Sequence, residues 1–152
     1  MRKLQPHPGA RLKTLRLRTD GASRGNPGLA AIGVVIEDDQ GNKLRTFHRF
    51  IGVATNNEAE YHALIDGLKA VADWKPDRLE VYLDSKLVVE QVKGIYRVRK
   101  PELQPLYKEA KELLDGFGDV EIKHVERENN RGADKLANMA LDARVKKAAP
   151  PG

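Results

Sequence analysis

The sequence has no cysteine, a single tryptophan, and no apolar run near the roughly 18 residues that a membrane-spanning helix needs. Without thiols there can be no disulfide and no thiolate metal site, a composition that suits a cytoplasmic protein. The basic N-terminus is not followed by an apolar stretch, so no secretory signal is expected there. A uniform surplus of charge is also lacking. The net charge of +5 sits at the two ends, with +4 on residues 1–14 and +2 on residues 142–152, which leaves −1 for everything between. The body of the protein is therefore not a generic polycation, and it is the tails that could hold phosphate backbone through counterion release. No internal repeat is visible. What is present is 152 residues, 40% apolar and 32% charged, enough for one domain with its own core.

Residues 1–14 contain Pro6, Pro8 and Gly9 without periodicity and read as a disordered basic arm. Residues 147–152 read as a tail, so the domain is expected over 15–146. Inside it, alternating or continuous apolar runs predict strands over 15–20, 29–36 and 43–51, joined by the glycine-rich turn Gly21-Ala22-Ser23-Arg24-Gly25-Asn26-Pro27-Gly28 and the turn Asp38-Asp39-Gln40-Gly41-Asn42. Residues 56–73 carry the clearest helical pattern, with Asn56 or Asn57 as its cap. A strand over 79–84 follows, then a short helix that Ser85 could cap, a basic loop over 93–100, and a helix over 101–115 opened by Pro101. A fifth strand over 120–125, a polar loop, and a helix over 132–146 complete the pattern. The expected class is α/β: a five-stranded mixed sheet flanked by helices, strands one to three antiparallel, and strands four and five parallel to strand one because helical crossovers join them.

Four carboxylates stand out by position. Asp20 and Asp84 each close a strand, and each shares parity with the less apolar side: Arg16 and Arg18 in the first case, Glu80 and Tyr82 in the second. Both therefore leave the same face of neighbouring parallel strands, at the carboxyl end where open α/β sheets place their ligands. In the helix over 56–73, Glu60 shares a stripe with Leu64, Gly67, Leu68 and Val71, whereas Glu58 lies with His62, Asp66 and Lys69. A carboxylate on the packed stripe is costly unless it is paired or binds a cation, which selects Glu60. Asp134 lies near the start of the last helix. Taken singly, each acid could be no more than a turn opener, cap or salt-bridge partner. Gathered without cysteine or neighbouring histidine, they suit a hard, oxygen-seeking cation, Mg²⁺ or Mn²⁺. Two such ions can activate a water and stabilise a leaving oxygen in phosphodiester cleavage.

Thr19-Asp20-Gly21 with Gly25-Asn26-Pro27-Gly28, Thr55-Asn56-Asn57-Glu58-Ala59-Glu60, Asp84-Ser85, and Asn130-Arg131-Gly132-Ala133-Asp134-Lys135-Leu136-Ala137 together resemble the type 1 ribonuclease H family. The resemblance runs in order from about residue 15 to 143. It implies a two-metal endonuclease that cuts the RNA strand of RNA–DNA hybrids without sequence preference. By the same resemblance Asp20 bridges both ions, Asp134 shares the ion that activates water, and Glu60 and Asp84 hold the ion facing the leaving group. Positions matching Asn26, Asn56 and Glu60 meet RNA 2′-hydroxyls, the group that distinguishes RNA from DNA. Positions matching Asn26 and Thr55 help seat a DNA phosphate. The partner implied is the hybrid, with no membrane, no small-molecule cofactor, and a monomeric, cytoplasmic protein.

Two departures from the family pattern are visible. Many members place a histidine in a longer loop before the last helix; here that loop is Glu126-Arg127-Glu128-Asn129, and Arg127, Glu128 or Asn129 would have to take its place. His124 falls within the fifth strand, where a structural role is expected. The family's helical basic protrusion is also missing. Lys93, Arg97, Arg99 and Lys100 beside Tyr96 could form a smaller phosphate-binding ridge. Two other functions compete: a related nuclease acting on another substrate, such as a DNA exonuclease, and a non-catalytic module that binds hybrid or RNA. The Asn56-Asn57 pair and the glycine turn speak against the first. Retention of all four acids speaks against the second.

Overall fold

Leucines at 15 and 17 alternate with arginines at 16 and 18, and the alternation makes the first strand two-sided. Leu15 and Leu17 are fully buried, while Arg16 and Arg18 stay half-exposed. In the computed structural model, which describes residues 14–148, this strand is β1, Thr14–Gly25. The expected arm over 1–14 lies outside the described residues except for Thr14; of the tail expected over 147–152, residues 147 and 148 continue the last helix and the rest lie outside the described residues.

Strand β1 does not stop at Asp20. It continues through Gly21 and Ala22, which pair with Ile32 and Ala31 of β2, Gly28–Asp38. The turn is therefore tighter than expected, only Asn26 and Pro27 across a cis bond, and Asp20 sits inside the strand. Strand β2 is buried on both faces from Ala30 to Ile36, as a near-continuous apolar run should be. It pairs antiparallel with β3, Lys43–Ala54. Strands β4, Arg78–Leu83, and β5, Val120–His124, run parallel to β1, giving the order β3-β2-β1-β4-β5. The mixed sheet expected from the sequence is the sheet observed.

Helices cover both faces. Helix α1, Asn56–Ala72, is capped by Thr55 rather than by Asn56 or Asn57. Thr55 accepts from the Glu58 amide at 3.2 Å, and the Glu58 carboxylate accepts from the Thr55 amide at 2.9 Å, a reciprocal capping box. So the two glutamates of this turn divide as their helical positions required: Glu58 caps, and Glu60 is buried. Helix α2, Lys86–Val92, is capped by Ser85 as expected. Helix α3, Gln104–Asp115, begins later than expected, because residues 101–103 form a turn and Pro105 takes the first-turn position. These three helices face the larger side chains of the sheet, Leu17, Ile32, Val34, Leu79 and Val81 among them. Each fully buried leucine there contributes about 1.5–3 kcal/mol. After a 3-10 turn at Arg127–Asn129, helix α4, Arg131–Ala148, lies on the opposite face against smaller residues, Ala31 with Ala140 and Leu141.

Candidate active site

Two glycines set the positions of the helices that carry acids. A Cβ on Gly21 would fall 2.1 Å from the Ala59 carbonyl carbon and 2.4 Å from the Glu60 nitrogen. A Cβ on Gly33 would fall 2.1 Å from the Ala133 carbonyl oxygen. Strand β1 thus meets α1 backbone to backbone, and β2 meets the start of α4 the same way. These approaches carry Glu60 and Asp134 to the segment of β1 that holds Asp20. The Gly21 amide donates to Glu60 Oε1, so the close approach and the orientation of that carboxylate are one feature.

Asp20, Glu60 and Asp84 each offer an oxygen within 4.8 Å of the others. Asp20 and Glu60 are buried, at 5% and 2% exposure, and Asp84 is half-buried. Asp134 lies outside this trio but lines the same cleft. Polar groups hold the acids from behind. The Asn130 amide donates to Asp84 Oδ2 at 3.0 Å and to the Thr19 carbonyl at 2.9 Å. Asn138 donates to the Asp134 carbonyl at 3.0 Å and to its Oδ1 at 3.2 Å. Arg24, from the end of β1, donates to Asn138 at 3.3 Å and pairs with Asp142, tying the hairpin to α4.

The electrostatics are those of crowded anions. Burial and then the Glu60 charge push the Asp20 carboxyl far above the usual carboxylate range. Burial also raises Glu60, against hydrogen bonds from Asp20 and the Gly21 amide. Asp84 is raised by burial and opposed by the Asn130 amide. Arg127, on the rim, opposes this crowding: it acts on Glu60 and Asp84, and lies 3.6 Å from Asp134. The donor set fits a hard divalent cation. Ligand oxygens stand about 2.0–2.6 Å from Mg²⁺ or Ca²⁺, so oxygens up to about 4–5 Å apart can share one ion. The acids open into a polar cleft of about 320 Å³ whose walls include Ser23, Arg24, Asn56, Arg127 and Asn138.

The other positions singled out from the sequence fall into two groups. Asn26, Thr55 and Asn56 come together at the β1–β2 turn and the start of α1, where the Asn56 amide donates to Asn26 Oδ1 at 3.1 Å. Lys93, Arg97, Arg99 and Lys100 are exposed and lie outside the cleft, with Lys93 lining a shallow depression along the open edge of β5. Of the three residues expected to replace a loop histidine, Arg127 reaches the acids; Glu128 and Asn129 are exposed on the 3-10 turn, and the Asn129 carbonyl accepts from Arg18 at 3.4 Å. His124, for which a structural role was expected, is not buried. Its side chain is exposed at the end of β5. Gly21, Asn130 and Asn138 are not singled out as individual site residues by sequence reasoning. Asn130 and Gly21 lay inside motifs already marked, but the contacts that distinguish them cross between strands and helices.

Residues 18–140 match the family described as reverse transcriptase-like. The chain is 46% identical over 139 residues to ribonuclease HI of Halobacterium salinarum, an alignment covering 91% of this chain and 68% of that protein. The crystal structure of RNase H1 from that archaeon superposes with a TM-score of 0.83, covering 86% of this chain and 98% of that one. A bifunctional protein of Mycobacterium tuberculosis, Rv2228c, is 42% identical over 134 residues; these are 88% of this chain but only 37% of that protein. LC11-RNase H1, solved in complex with an RNA/DNA hybrid, is 38% identical with a TM-score of 0.81, over 86% of this chain and 99% of that one.

Proposed function

The chain belongs to the type 1 ribonuclease H family, and on that premise we propose that it hydrolyses the RNA strand of RNA–DNA hybrids as an endonuclease without sequence preference. The observation that carries the reading is the buried trio Asp20, Glu60 and Asp84, gathered within 4.8 Å, with Asp134 beside it at the mouth of an open cleft. A set of buried like charges is destabilising by itself, and such sets persist where a cation completes them. The hybrid bound by LC11-RNase H1 supports the same substrate for a relative of this fold.

Asp20, Glu60, Asp84 and Asp134 would hold two Mg²⁺ or Mn²⁺ ions. When bound, such ions supply an activated water and charge stabilisation at the leaving oxygen. The chain supplies the rest. The Gly21 amide fixes Glu60, and Asn138 fixes Asp134. Arg127 is the cation on the rim beside Asp134 and takes the place of the absent loop histidine. Asn26, Thr55 and Asn56 form a polar corner suited to a 2′-hydroxyl on the RNA strand and a phosphate on the DNA strand. Lys93, Arg97, Arg99 and Lys100 hold backbone phosphates at a distance from the chemistry. All these contacts go to sugar and phosphate, which is why sequence preference is not expected. The protein acts as a monomer in the cytoplasm.

Cleavage of a strand-labelled hybrid in Mg²⁺ and in Mn²⁺, beside Asp20→Asn, tests the reading. RNA-strand products from the wild type and none from the variant are expected. Hybrid binding without cleavage under either metal would overturn it in favour of a binding module.

A further inference from the structure

Asn130 occupies the N-cap position of α4, where its carbonyl accepts the first helical hydrogen bond, from the Asp134 amide at 3.1 Å. An asparagine there ordinarily turns its side-chain oxygen onto the first amides of the helix. Here it does not. The side chain is buried at 1% exposure, and its Oδ1 has no hydrogen-bond partner. Its Nδ2 instead donates away from the helix, to the Thr19 carbonyl of β1 at 2.9 Å and to Asp84 Oδ2 beyond β4 at 3.0 Å. Both partners can only accept, so the nitrogen, not the oxygen, must face them. The helix forgoes a cap, and a buried acceptor is left unpaired, which is destabilising. What is gained is a bridge between the residue before Asp20, the Asp84 carboxylate and the turn that leads to Asp134.

We propose that Asn130 is a positioning residue for the metal-binding acids: it holds one oxygen of Asp84 and sets its spacing from Asp20 and Asp134. An amide is suited to this task, since it restrains a carboxylate without supplying a charge that competes with a cation. The inference rests on the metal-dependent reading above and concerns how the acids are placed, not which substrate is cut.

The test is Mn²⁺ binding by calorimetry to the substrate-free protein, for the wild type, Asn130→Ala and Asn130→Ser. Serine is a good helix cap but too short to bridge Thr19 and Asp84 together, so it keeps the helix start while removing the bridge. Removing the partner that orients a metal-ligating group typically costs 10–100-fold in metal affinity. Both variants are expected to bind Mn²⁺ about tenfold more weakly, and to need correspondingly more Mg²⁺ for half-maximal cleavage with an unchanged KM for hybrid. If alanine fails to fold, the serine variant decides. Folded variants with wild-type Mn²⁺ affinity and lowered thermal stability alone would make Asn130 structural and overturn the inference. Failure of the wild type itself to bind Mn²⁺ would instead overturn the metal-dependent reading.

Discussion

The cleft between β1, β4, α1 and α4 and the loop of residues 93–100 both concentrate charge, under opposite physical rules. In the cleft the charges are like, buried and held from behind by amides of Gly21, Asn130 and Asn138. In the loop they are cationic, exposed and unpaired: among the described residues, Lys93, Arg97, Arg99 and Lys100 form no ion pair. The loop is attached through Val98, which packs on the core, and through the Ile95 and Tyr96 amides, which donate to the Glu90 carbonyl. Burial makes each charge of the cleft expensive and therefore specific in its geometry. Exposure makes each charge of the loop cheap and therefore additive. The first arrangement suits chemistry at one atom; the second suits a diffuse hold on a polyanion.

The sharpest way to separate them is to remove one charge from the cleft. Asp20→Asn should lower hybrid cleavage at least about a thousandfold, at the upper end of what loss of one fixed electrostatic group costs. The same change removes the cost of protonating a buried carboxyl on folding and so should raise the thermal midpoint without added metal. The gain is on the order of 1 kcal/mol or more, the scale of one pKa unit. Activity lost together with stability would mean that Asp20 is a structural residue and that the cleft does not obey the rule drawn for it.

Geometry can be broken while every charge is kept. Gly21→Ala drives a Cβ into the Ala59 and Glu60 backbone, whereas a Cβ on Gly118 meets nothing. The first should destabilise by about 3 kcal/mol and displace Glu60. A shift of about 1 Å is enough to lower turnover by roughly a hundredfold. Gly118→Ala should leave both unchanged. Chemical denaturation and steady-state cleavage on the pair would show whether placement, and not charge alone, defines the cleft.

A smaller effect lies in pH. Folded-state pKa values of Asp20 and Glu60 are raised, mainly by burial, with Glu60 pushed up to about 7. A raised carboxyl binds its proton more tightly folded than unfolded. Its contribution is therefore fully present below the unfolded value near pH 4 and lost as pH rises through the folded value. The difference in stability between wild type and Asp20→Asn should grow against the wild type from about pH 4 to beyond pH 7. Added Mg²⁺ should flatten that slope by taking over from the protons. A difference curve that is flat without metal would show that the acids are not coupled through burial.

These distinctions were legible from the sequence to unequal degrees. Helical spacing alone separated Glu60 from Glu58, and strand parity placed Asp20 and Asp84 on one face, because both readings depend on local periodicity. The sheet followed from the same periodicity and from the crossover rule. What local reasoning missed depended on partners far along the chain. Strand β1 runs on past Asp20 because Gly21 and Ala22 find Ile32 and Ala31. Thr55 outcompetes Asn56 as cap because Glu58 reciprocates its hydrogen bond. His124 reads as part of a strand, and it is the last residue of β5 with its side chain exposed.

The loop should give the smallest effect per residue. Each cation that meets a phosphate releases condensed counterion, so removing one should lower the salt slope of hybrid binding by about 0.7–0.9. At moderate salt, a single Arg97→Ala should weaken binding by less than about tenfold and leave kcat unchanged. Replacing Lys93, Arg97, Arg99 and Lys100 together should multiply these losses, because exposed sites that share no partner act nearly independently. Val98 stays in every variant, since it ties the loop to the core. Binding measured across a salt series tests the contrast directly. Additive losses with constant kcat mark a diffuse hold on phosphate. If one substitution carried the whole effect, or if kcat fell with affinity, the loop would be positioning the scissile strand and would belong with the cleft.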